Sequence, residues 1–512
     1  MKNKLIMAVS VLAMLTVSLW IQGREVPGNR HYQHLEPEKE ACREHGDEVF
    51  CTHLPLLNII TAQPIPSPYL LDVNGTIRRE ESGKSLKNFQ EVPASIEVFD
   101  TPGKYNHLTD EPVLREQGLF RIRGNSSRKF DKKSYLLKFT EEDCMTGKKV
   151  SLCGMTADNT WCLHGPFMDR TLVRNYICYH LAGEIMENAP DVRFCEIFVN
   201  GDYMGVYLLT EKINFNKNGR VQLTPTDPDL AETSYILKLD HAAEDPGCQL
   251  RSFCDFSGKR GVTGRRREHL SILYPGKTLT DDQRKYIKYQ ISSFERALTS
   301  LKSADPREGY TAYIDVDSFV NYMVFNEFTM NADAGTLSTY FSKDVRGKLQ
   351  VIGWDYNNVF NNYYTDLASP HGFFTNNTWF NPLLRDRKFV DRVVKRYRAL
   401  RLTFFRDDYL QKLIDDTVRY LGPAVDRNYE KWGYCFTEDS ENHLIPEDSV
   451  IRRQQLGKVM PLERNPEDYE QSVEMLKAMI RERGAFLDEN IHALYAKCHE
   501  SANKQYLAEG GH

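Results

Sequence analysis

The order of hydrophobic patterns along this 512-residue chain predicts an α+β protein with a β-rich N-terminal part and a helical C-terminal part. Short apolar runs broken by Pro and Gly dominate the first part, whereas apolar residues recur at helical spacing beyond residue 382. The composition is that of a globular protein, with 41% apolar residues and a formal net charge of −5. Because such a chain has no general attraction for a polyanion, we expect no nucleic-acid partner.

The first 23 residues have the pattern of an export signal. Lys2 and Lys4 precede an uncharged, mostly apolar run over residues 5–20. This run is shorter than the roughly 20 residues that span a bilayer, so we expect no stable transmembrane anchor. Whether the signal is cleaved stays open. The sequence therefore predicts an exported protein (periplasmic, cell-surface or extracellular) with a polar N-terminal extension over residues 24–55.

The eleven cysteines are compatible with an oxidising compartment, and the odd number leaves at least one without a partner in the same chain. Sequence alone does not determine which cysteines pair. Three pairs are close enough to close small disulfide loops: Cys42 with Cys51, Cys144 with Cys153, and Cys248 with Cys254.

Residues 56–118 alternate short apolar stretches with Pro and Gly, which predicts a β-rich N-terminal region. Apolar and basic residues alternate in the runs 119–127 and 132–139, which predicts two strands that flank the Gly-Asn-Ser-Ser loop at 124–127, and both strands carry cations near that loop. Farther along, Asp169 has the position and chemistry of a helix N-cap. Asn200-Gly201 between two apolar runs is a strong hairpin signal. Helical periodicity follows in five segments: 280–300, 316–330, 389–401, 409–421 and 469–495.

Two aspartates flank a third predicted hairpin. Strand-like runs on either side of the turn at 344–347 indicate that the chain leaves Asp333 and returns with Asp355 near the same end. Two carboxylates brought together need a cation or a proton between them. Asp355 and Asn357 carry oxygen ligands of the kind that Mg²⁺ prefers. The alternative is that both aspartates cap turns or pair with arginines, and turn chemistry alone favours it.

Five segments resemble motifs of the CotH kinase family, which is named for a spore-coat protein, and they occur in the family's order across roughly residues 55–400. They are RIRGNSSRKFDKKSYLLKF (121–139), DRTLVRN (169–175), FVNGDYMGVYLLTEKI (198–213), NAD (331–333) and WDYNNVF (354–360).

The resemblance implies an atypical protein-kinase-like fold, with a core over residues 119–400 and a helical C-terminal region over 401–512. It implies transfer of the γ-phosphate of ATP to Ser or Thr of a protein with a Ser-rich acceptor segment, in the presence of Mg²⁺ or Mn²⁺. Asp333 would then orient the substrate hydroxyl or accept its proton, and Asp355 would bind the metal.

The resemblance also implies that Arg123, Lys132 and Lys133 face the nucleotide phosphates, where cations stabilise the transferring group. On an exposed strand face, however, lysines are usually only solvated. Glu211 could be the acidic partner of a nucleotide-binding lysine or could form a structural ion pair. Arg174 and Asn175 could support the site or only anchor their helix.

Two positions depart from the family's pattern. Ser338 stands where the family usually carries a metal-binding Asn, and Asn357 replaces the second Asp of its WDxD motif. Both can still offer an oxygen ligand, but fewer strong ligands predict weaker metal binding. These departures leave a first alternative to an active kinase, a catalytically weak or inactive pseudokinase that acts as an envelope scaffold. The predicted export and the 27 tyrosines leave a second alternative, a glycan-binding surface protein.

Overall fold

The computed structural model of the chain describes residues 30–40, 49–81, 85–186, 188–216, 219–241, 245–261, 263, 268–362, 370–374, 378–436 and 466–499. Strands predominate up to residue 352 and helices after residue 380, so the predicted α+β class is confirmed. The predicted export signal and Cys42 lie outside the described residues. Within these ranges, no helix is both long enough and apolar enough to cross a bilayer.

Seven strands form a closed barrel in the order β1-β2-β3-β4-β5-β7-β6. Neighbouring strands are antiparallel except at the closure, where β1 pairs with β6 in parallel. The sequence predicted a β-rich region but not this closure. The strands are β1 (Leu56–Thr61), β2 (Val92–Phe99), β3 (Leu114–Arg123), β4 (Ser134–Phe139), β5 (Thr160–His164), β6 (Val192–Val199) and β7 (Asp202–Glu211).

Five further strands form a second sheet in the order β12-β11-β8-β10-β9. Its β11–β12 pair is the hairpin predicted between Asp333 and Asp355, and this prediction is confirmed. The strands are β8 (Tyr235–Asp240), β9 (Gln249–Leu250), β10 (His269–Tyr274), β11 (Thr339–Lys343) and β12 (Gln350–Ile352).

From residue 280 onward, five helices follow the five predicted segments closely, whereas the helices Phe380–Leu383 and Pro423–Trp432 fall in none of those segments. In chain order they are α1 (Arg174–Ile185), α2 (Phe253–Phe256), α3 (Asp281–Leu298), α4 (Val316–Phe328), α5 (Phe380–Leu383), α6 (Arg387–Arg401), α7 (Asp407–Leu421), α8 (Pro423–Trp432) and α9 (Tyr469–Asn490). Short 3₁₀ helices lie at Gln33–Leu35, Ser126–Lys129, Pro246–Cys248, Gly276–Thr278, Tyr310–Ala312, Gly433–Phe436 and Ile491–Lys497.

The barrel has its own apolar interior, separate from a larger core. Phe120 and Ile122 of β3 point inward with Leu137 of β4, so the alternation of a strand places Arg121 and Arg123 on the outer face. Outward-facing residues of the barrel instead pack with the second sheet and the long helices in the larger core. Arg123 therefore lies on the side of the barrel that faces the rest of the protein.

One helix begins later than the sequence predicted. Helix α1 starts at Arg174, and its N-cap residue is Val173 rather than Asp169. Asp169 still supplies capping chemistry, because its carboxylate accepts a hydrogen bond from the Arg174 backbone N–H at 2.9 Å. The residues between them form a turn that Asp169 closes.

Two of the suggested disulfides are absent among the described residues, because Cys144, Cys153 and Cys248 carry free thiols. Close spacing in sequence did not bring these thiols into bonding contact. The Cys248 Sγ instead contacts the Asp245 carboxylate at 3.6 Å.

Candidate functional site

Asp333 lies in a tight turn after α4. Its backbone N–H donates to the side chain of Asn331 at 3.3 Å, and its Oδ2 accepts a hydrogen bond from Asn358 at 3.1 Å. The side chain is only partly exposed. The turn thus holds the carboxylate toward the loop that follows the β11–β12 hairpin.

Asp355 begins that returning loop and has a left-handed backbone conformation, with φ 64°. This conformation is uncommon for residues other than glycine, although aspartate tolerates it better than most. Two contacts hold it: the Asp355 N–H donates to the Tyr179 hydroxyl at 3.1 Å, and the Ser338 hydroxyl donates to Asp355 Oδ2 at 3.2 Å. Ser338 therefore lies at the position beside Asp355 where the sequence predicted a ligand.

Two side chains of helix α1, Asn175 and Tyr179, bond to the backbone of the same loop. The Asn175 side chain accepts a hydrogen bond from the Tyr356 N–H at 2.8 Å, next to Asp355. Asn175 and Tyr179 are four residues apart and share one helical face. Asn175 therefore holds the backbone of the loop that carries Asp355.

Arg123 approaches from the barrel. Its guanidinium lies over the Trp354 ring, 5.9 Å from the centroid. Burial disfavours its charge, but the surrounding groups, among them the Asp355 carboxylate, more than offset this and raise the pKa of Arg123. The structure thus brings one of the three predicted phosphate-binding cations to the aspartate pair.

Asp333, Asp355 and Arg123 form a charged cluster with two further residues, Lys238 and Asp240 on β8. The sequence interpretation missed these two residues. Their side chains form an ion pair at 2.6 Å, and the Lys238 ammonium lies 5.7 Å from the centroid of the Tyr340 ring. A signal was present: the strand Tyr235–Asp240 is apolar except at positions 238 and 240. Two charges on one face of an otherwise apolar strand indicate a polar surface inside the protein.

Burial and neighbouring carboxylates raise the pKa of both aspartates. Burial, together with the Asp355 and Asp240 carboxylates, raises the pKa of Asp333 to about 6, and the hydrogen bond from Asn358 only partly opposes this. Burial also raises the pKa of Asp355, although Arg123, Ser338 and Lys238 favour its ionised form. A carboxylate with a pKa near 6 is suited to accept a proton at neutral pH.

Lys132 and Lys133 make their hydrogen bonds elsewhere. The Lys132 ammonium is buried and donates to the Asn428 side chain of α8 at 2.6 Å. Lys133 donates to the backbone carbonyls of Arg128 at 2.9 Å and Phe130 at 2.6 Å in its own loop. These contacts fix the β3–β4 loop.

Arg174 and Glu211 also have structural partners. Arg174 pairs with Asp169 at 2.6 Å at the start of α1. Glu211 accepts a hydrogen bond from the Asp191 N–H at 2.8 Å, and burial raises the pKa of its carboxyl. Arg174 thus anchors the start of its own helix, and the ion pair of Glu211 is with Arg220 at 3.8 Å.

In the part of the chain that the structure describes, no three His, Cys, Asp or Glu side chains are grouped so as to hold a metal ion. The Ser338 hydroxyl lies on the Asp355 carboxylate, and Asn357 follows Asp355 by two residues. Such a set of oxygen-bearing side chains fits a cation that takes one or two carboxylates and completes its shell with water or phosphate oxygens, as Mg²⁺ does.

Two aspartates on either side of a hairpin, with Arg123 of a β-barrel and Lys238 of a second sheet acting on Asp355, define an α+β protein with a charged site. The family model described as CotH kinase protein matches residues 120–487, and the chain belongs to this family. The chain is also similar to "Inner spore coat protein H" of Bacillus subtilis (strain 168), with 23% identity over 317 residues. That alignment covers 60% of this chain and 75% of the relative.

Proposed function

We propose that this protein is a metal-dependent phosphotransferase that moves the γ-phosphate of ATP to Ser or Thr of a protein acceptor. The observation that carries the proposal is the approach of Asp333 and Asp355, with Arg123 close to Asp355, in a member of the CotH kinase family. Phosphoryl transfer needs this combination of a proton acceptor, a metal-binding carboxylate and a cation.

Each residue has a distinct role in this proposal. Asp333 orients the acceptor hydroxyl and takes its proton, for which its raised pKa is suited. Asp355, with Ser338 and Asn357, would hold Mg²⁺ or Mn²⁺, and the bound ion would neutralise phosphate charge. Arg123 would contact a phosphate.

Lys132 and Lys133 would have to give up their present hydrogen bonds to reach a phosphate. We therefore assign the phosphate contact first to Arg123. We also propose that the barrel and the part that follows it form an atypical kinase-like arrangement, since Arg123 of the barrel acts on Asp355 of the following part.

The acceptor and the location are part of the proposal. The relative's name places that protein in a spore coat, and a coat or surface protein with a Ser-rich segment is the acceptor that we propose here. Export through the predicted signal over residues 1–23 would bring the protein to such an acceptor.

The test is phosphate transfer from labelled ATP to a Ser-rich protein in the presence of Mg²⁺ or Mn²⁺. We expect Asp355→Ala to reduce transfer by at least about 100-fold, because the site loses its metal-binding carboxylate. Asp317→Ala is the matched control, since this aspartate is 79% exposed on α4 and pairs with Arg392. Equal transfer by wild type and Asp355→Ala would refute the proposal.

The pseudokinase scaffold is the second candidate, and the neutral side chains of Ser338 and Asn357 favour it. The Ser338 hydroxyl bonds directly to Asp355, and the Asn357 amide donates to Asn358 at 2.9 Å. This candidate predicts weak or absent metal-dependent ATP binding. Tight binding of ATP with Mg²⁺ in calorimetry would count against it.

A further inference from the structure

The ion pair of Lys238 and Asp240 lies in the charged cluster but has no role in the function proposed above. We propose that Lys238 is a phosphate-binding residue for the nucleotide and that Asp240 is the positioning residue that holds its ammonium group. This inference rests on the proposed function, because it assigns a nucleotide contact within the same site.

The strand geometry places both side chains on the face that carries the site. Leu237 and Leu239 are fully buried in the larger core, so Lys238 and Asp240 lie on the opposite face of β8. Lys238 is paired in register with Tyr340 of β11, the strand that begins directly after Ser338. The ammonium group is therefore presented beside the hairpin that returns Asp355.

The charges act on both aspartates of the proposed site. The positive charge of Lys238 is close enough to act on the Asp355 carboxylate, as that of Arg123 does from the barrel side. The negative charge of Asp240 acts on both Asp333 and Asp355. Three carboxylates and two cations thus interact in one cluster, and an anionic phosphate would enter between cations from two different sheets.

Lys238 is also better placed than the lysines that the sequence singled out. Lys132 is only 1% exposed and donates to Asn428, whereas the Lys238 side chain is 30% exposed. An ammonium group has three N–H donors, so the ion pair with Asp240 leaves capacity for a phosphate oxygen. The contact with Asp240 orients the amine without using all of its donors.

The partner explains how a largely buried lysine keeps its charge. Burial alone would lower the pKa of Lys238, but Tyr340 and Asp240 outweigh burial and hold it above the ordinary lysine range. A cation that stays protonated and is oriented before the ligand arrives binds phosphate without the cost of ordering a flexible side chain.

The experiment is calorimetric binding of ATP with Mg²⁺ and, separately, of adenosine to the full-length protein. We expect Lys238→Met to weaken ATP binding by about 10- to 100-fold and to leave adenosine binding unchanged, because one charge-assisted contact to phosphate is lost. Lys238→Arg should retain part of the affinity. Lys348→Met is the control, since it removes an exposed cation from the β11–β12 turn that donates to the Thr311 carbonyl.

Asp240→Asn separates positioning from simple charge repulsion. If Asp240 positions Lys238, we expect Asp240→Asn to bind ATP about 3- to 5-fold more weakly than wild type. We expect Asp240→Asn to cause no further loss of affinity in a protein that already carries Lys238→Met. Tighter ATP binding by Asp240→Asn would overturn the positioning role. Melting temperatures of all variants show whether each is folded.

The outcomes distinguish this inference from the proposed function. If wild type binds ATP and folded Lys238→Met and Lys238→Arg bind it equally well, only the role of Lys238 is overturned. If wild type does not bind ATP, the nucleotide-dependent function fails and this inference fails with it.

Discussion

Asp333 shows how strongly one residue depends on its surroundings. Its side chain lies near two other carboxylates, Asp355 and Asp240, and a single amide hydrogen bond from Asn358 opposes their repulsion. Ionisation of Asp333 therefore lowers the stability of the folded protein. Such a cost is expected where a group is arranged for proton transfer rather than for stability.

We predict that Asp333→Asn stabilises the metal-free protein in a pH-dependent way. The folded-state pKa is raised from 3.8 to about 6, so the penalty is absent below about pH 4, grows between pH 4 and 6, and is complete above pH 6. The variant should gain about 1 to 2 kcal/mol at pH 7.5, since the carboxylate is partly screened by solvent, and clearly less at pH 4.5. Urea unfolding with EDTA measures this.

Asp317→Asn is the control for that measurement, because its exposed side chain is outside the cluster. A gain for Asp333→Asn that is the same at both pH values would contradict the electrostatic explanation.

At the scale of elements, both hairpins that the sequence predicted at turns are present. The β11–β12 hairpin brings Asp355 back toward Asp333, and the β6–β7 hairpin contributes two adjacent strands of the barrel. In the second hairpin Val199 pairs with Asp202, so Asn200 and Gly201 form a two-residue turn with φ 53° and 85°. Both angles are positive, as a type I′ turn requires.

We predict that Gly201→Ala destabilises the protein by about 1 kcal/mol, because alanine is disfavoured at positive φ. A Cβ at this position would meet no atom within 4 Å, so the cost is purely conformational. Gly261→Ala is the matched control, since the space there is also open and no positive φ is present. Denaturant midpoints of the two variants compare the effects, and equal midpoints would contradict the turn assignment.

At the scale of the whole molecule, a side chain of α9 is bonded to the end of α4 that precedes the turn of Asp333. Arg483 of α9 is fully buried and donates to the Glu327 carboxylate at 2.8 Å and to the Glu327 carbonyl at 2.9 Å. It also donates to the carbonyls of Pro370 at 2.6 Å and Gly372 at 2.7 Å. Since Glu327 lies near the end of α4, directly before the turn of Asp333, one arginine joins three distant segments.

We predict that Arg483→Met destabilises the protein by about 3 to 5 kcal/mol, because it leaves the buried Glu327 carboxylate without this ion-pair partner. Arg481→Met is the control, since Arg481 is exposed on the same helix and donates to Gln411. Urea unfolding measures both variants. If Arg483→Met lowers the free energy of unfolding by less than about 1 kcal/mol, Arg483 of α9 does not stabilise the end of α4 in this way.

Local patterns were sufficient for much of the fold. The Asn200-Gly201 turn, the β11–β12 hairpin and five of the helices from residue 280 onward follow from periodicity and turn chemistry, which act between residues close in sequence. The same reasoning brought Asp333 and Asp355 together, because a hairpin returns the chain to its starting end. The family was also recognisable from motifs in order, and the match over residues 120–487 confirms it.

The sequence by itself determined the α+β class, the family and the approach of two aspartates. Only the tertiary structure decided that β1 closes a barrel against β6, that Lys132 is buried against Asn428, and that Lys238 and Asp240 join the site. The physical reason is distance along the chain: Lys132 and Asn428 are 296 residues apart. Local propensity sets the period of an element, but packing of the whole molecule selects its distant partners.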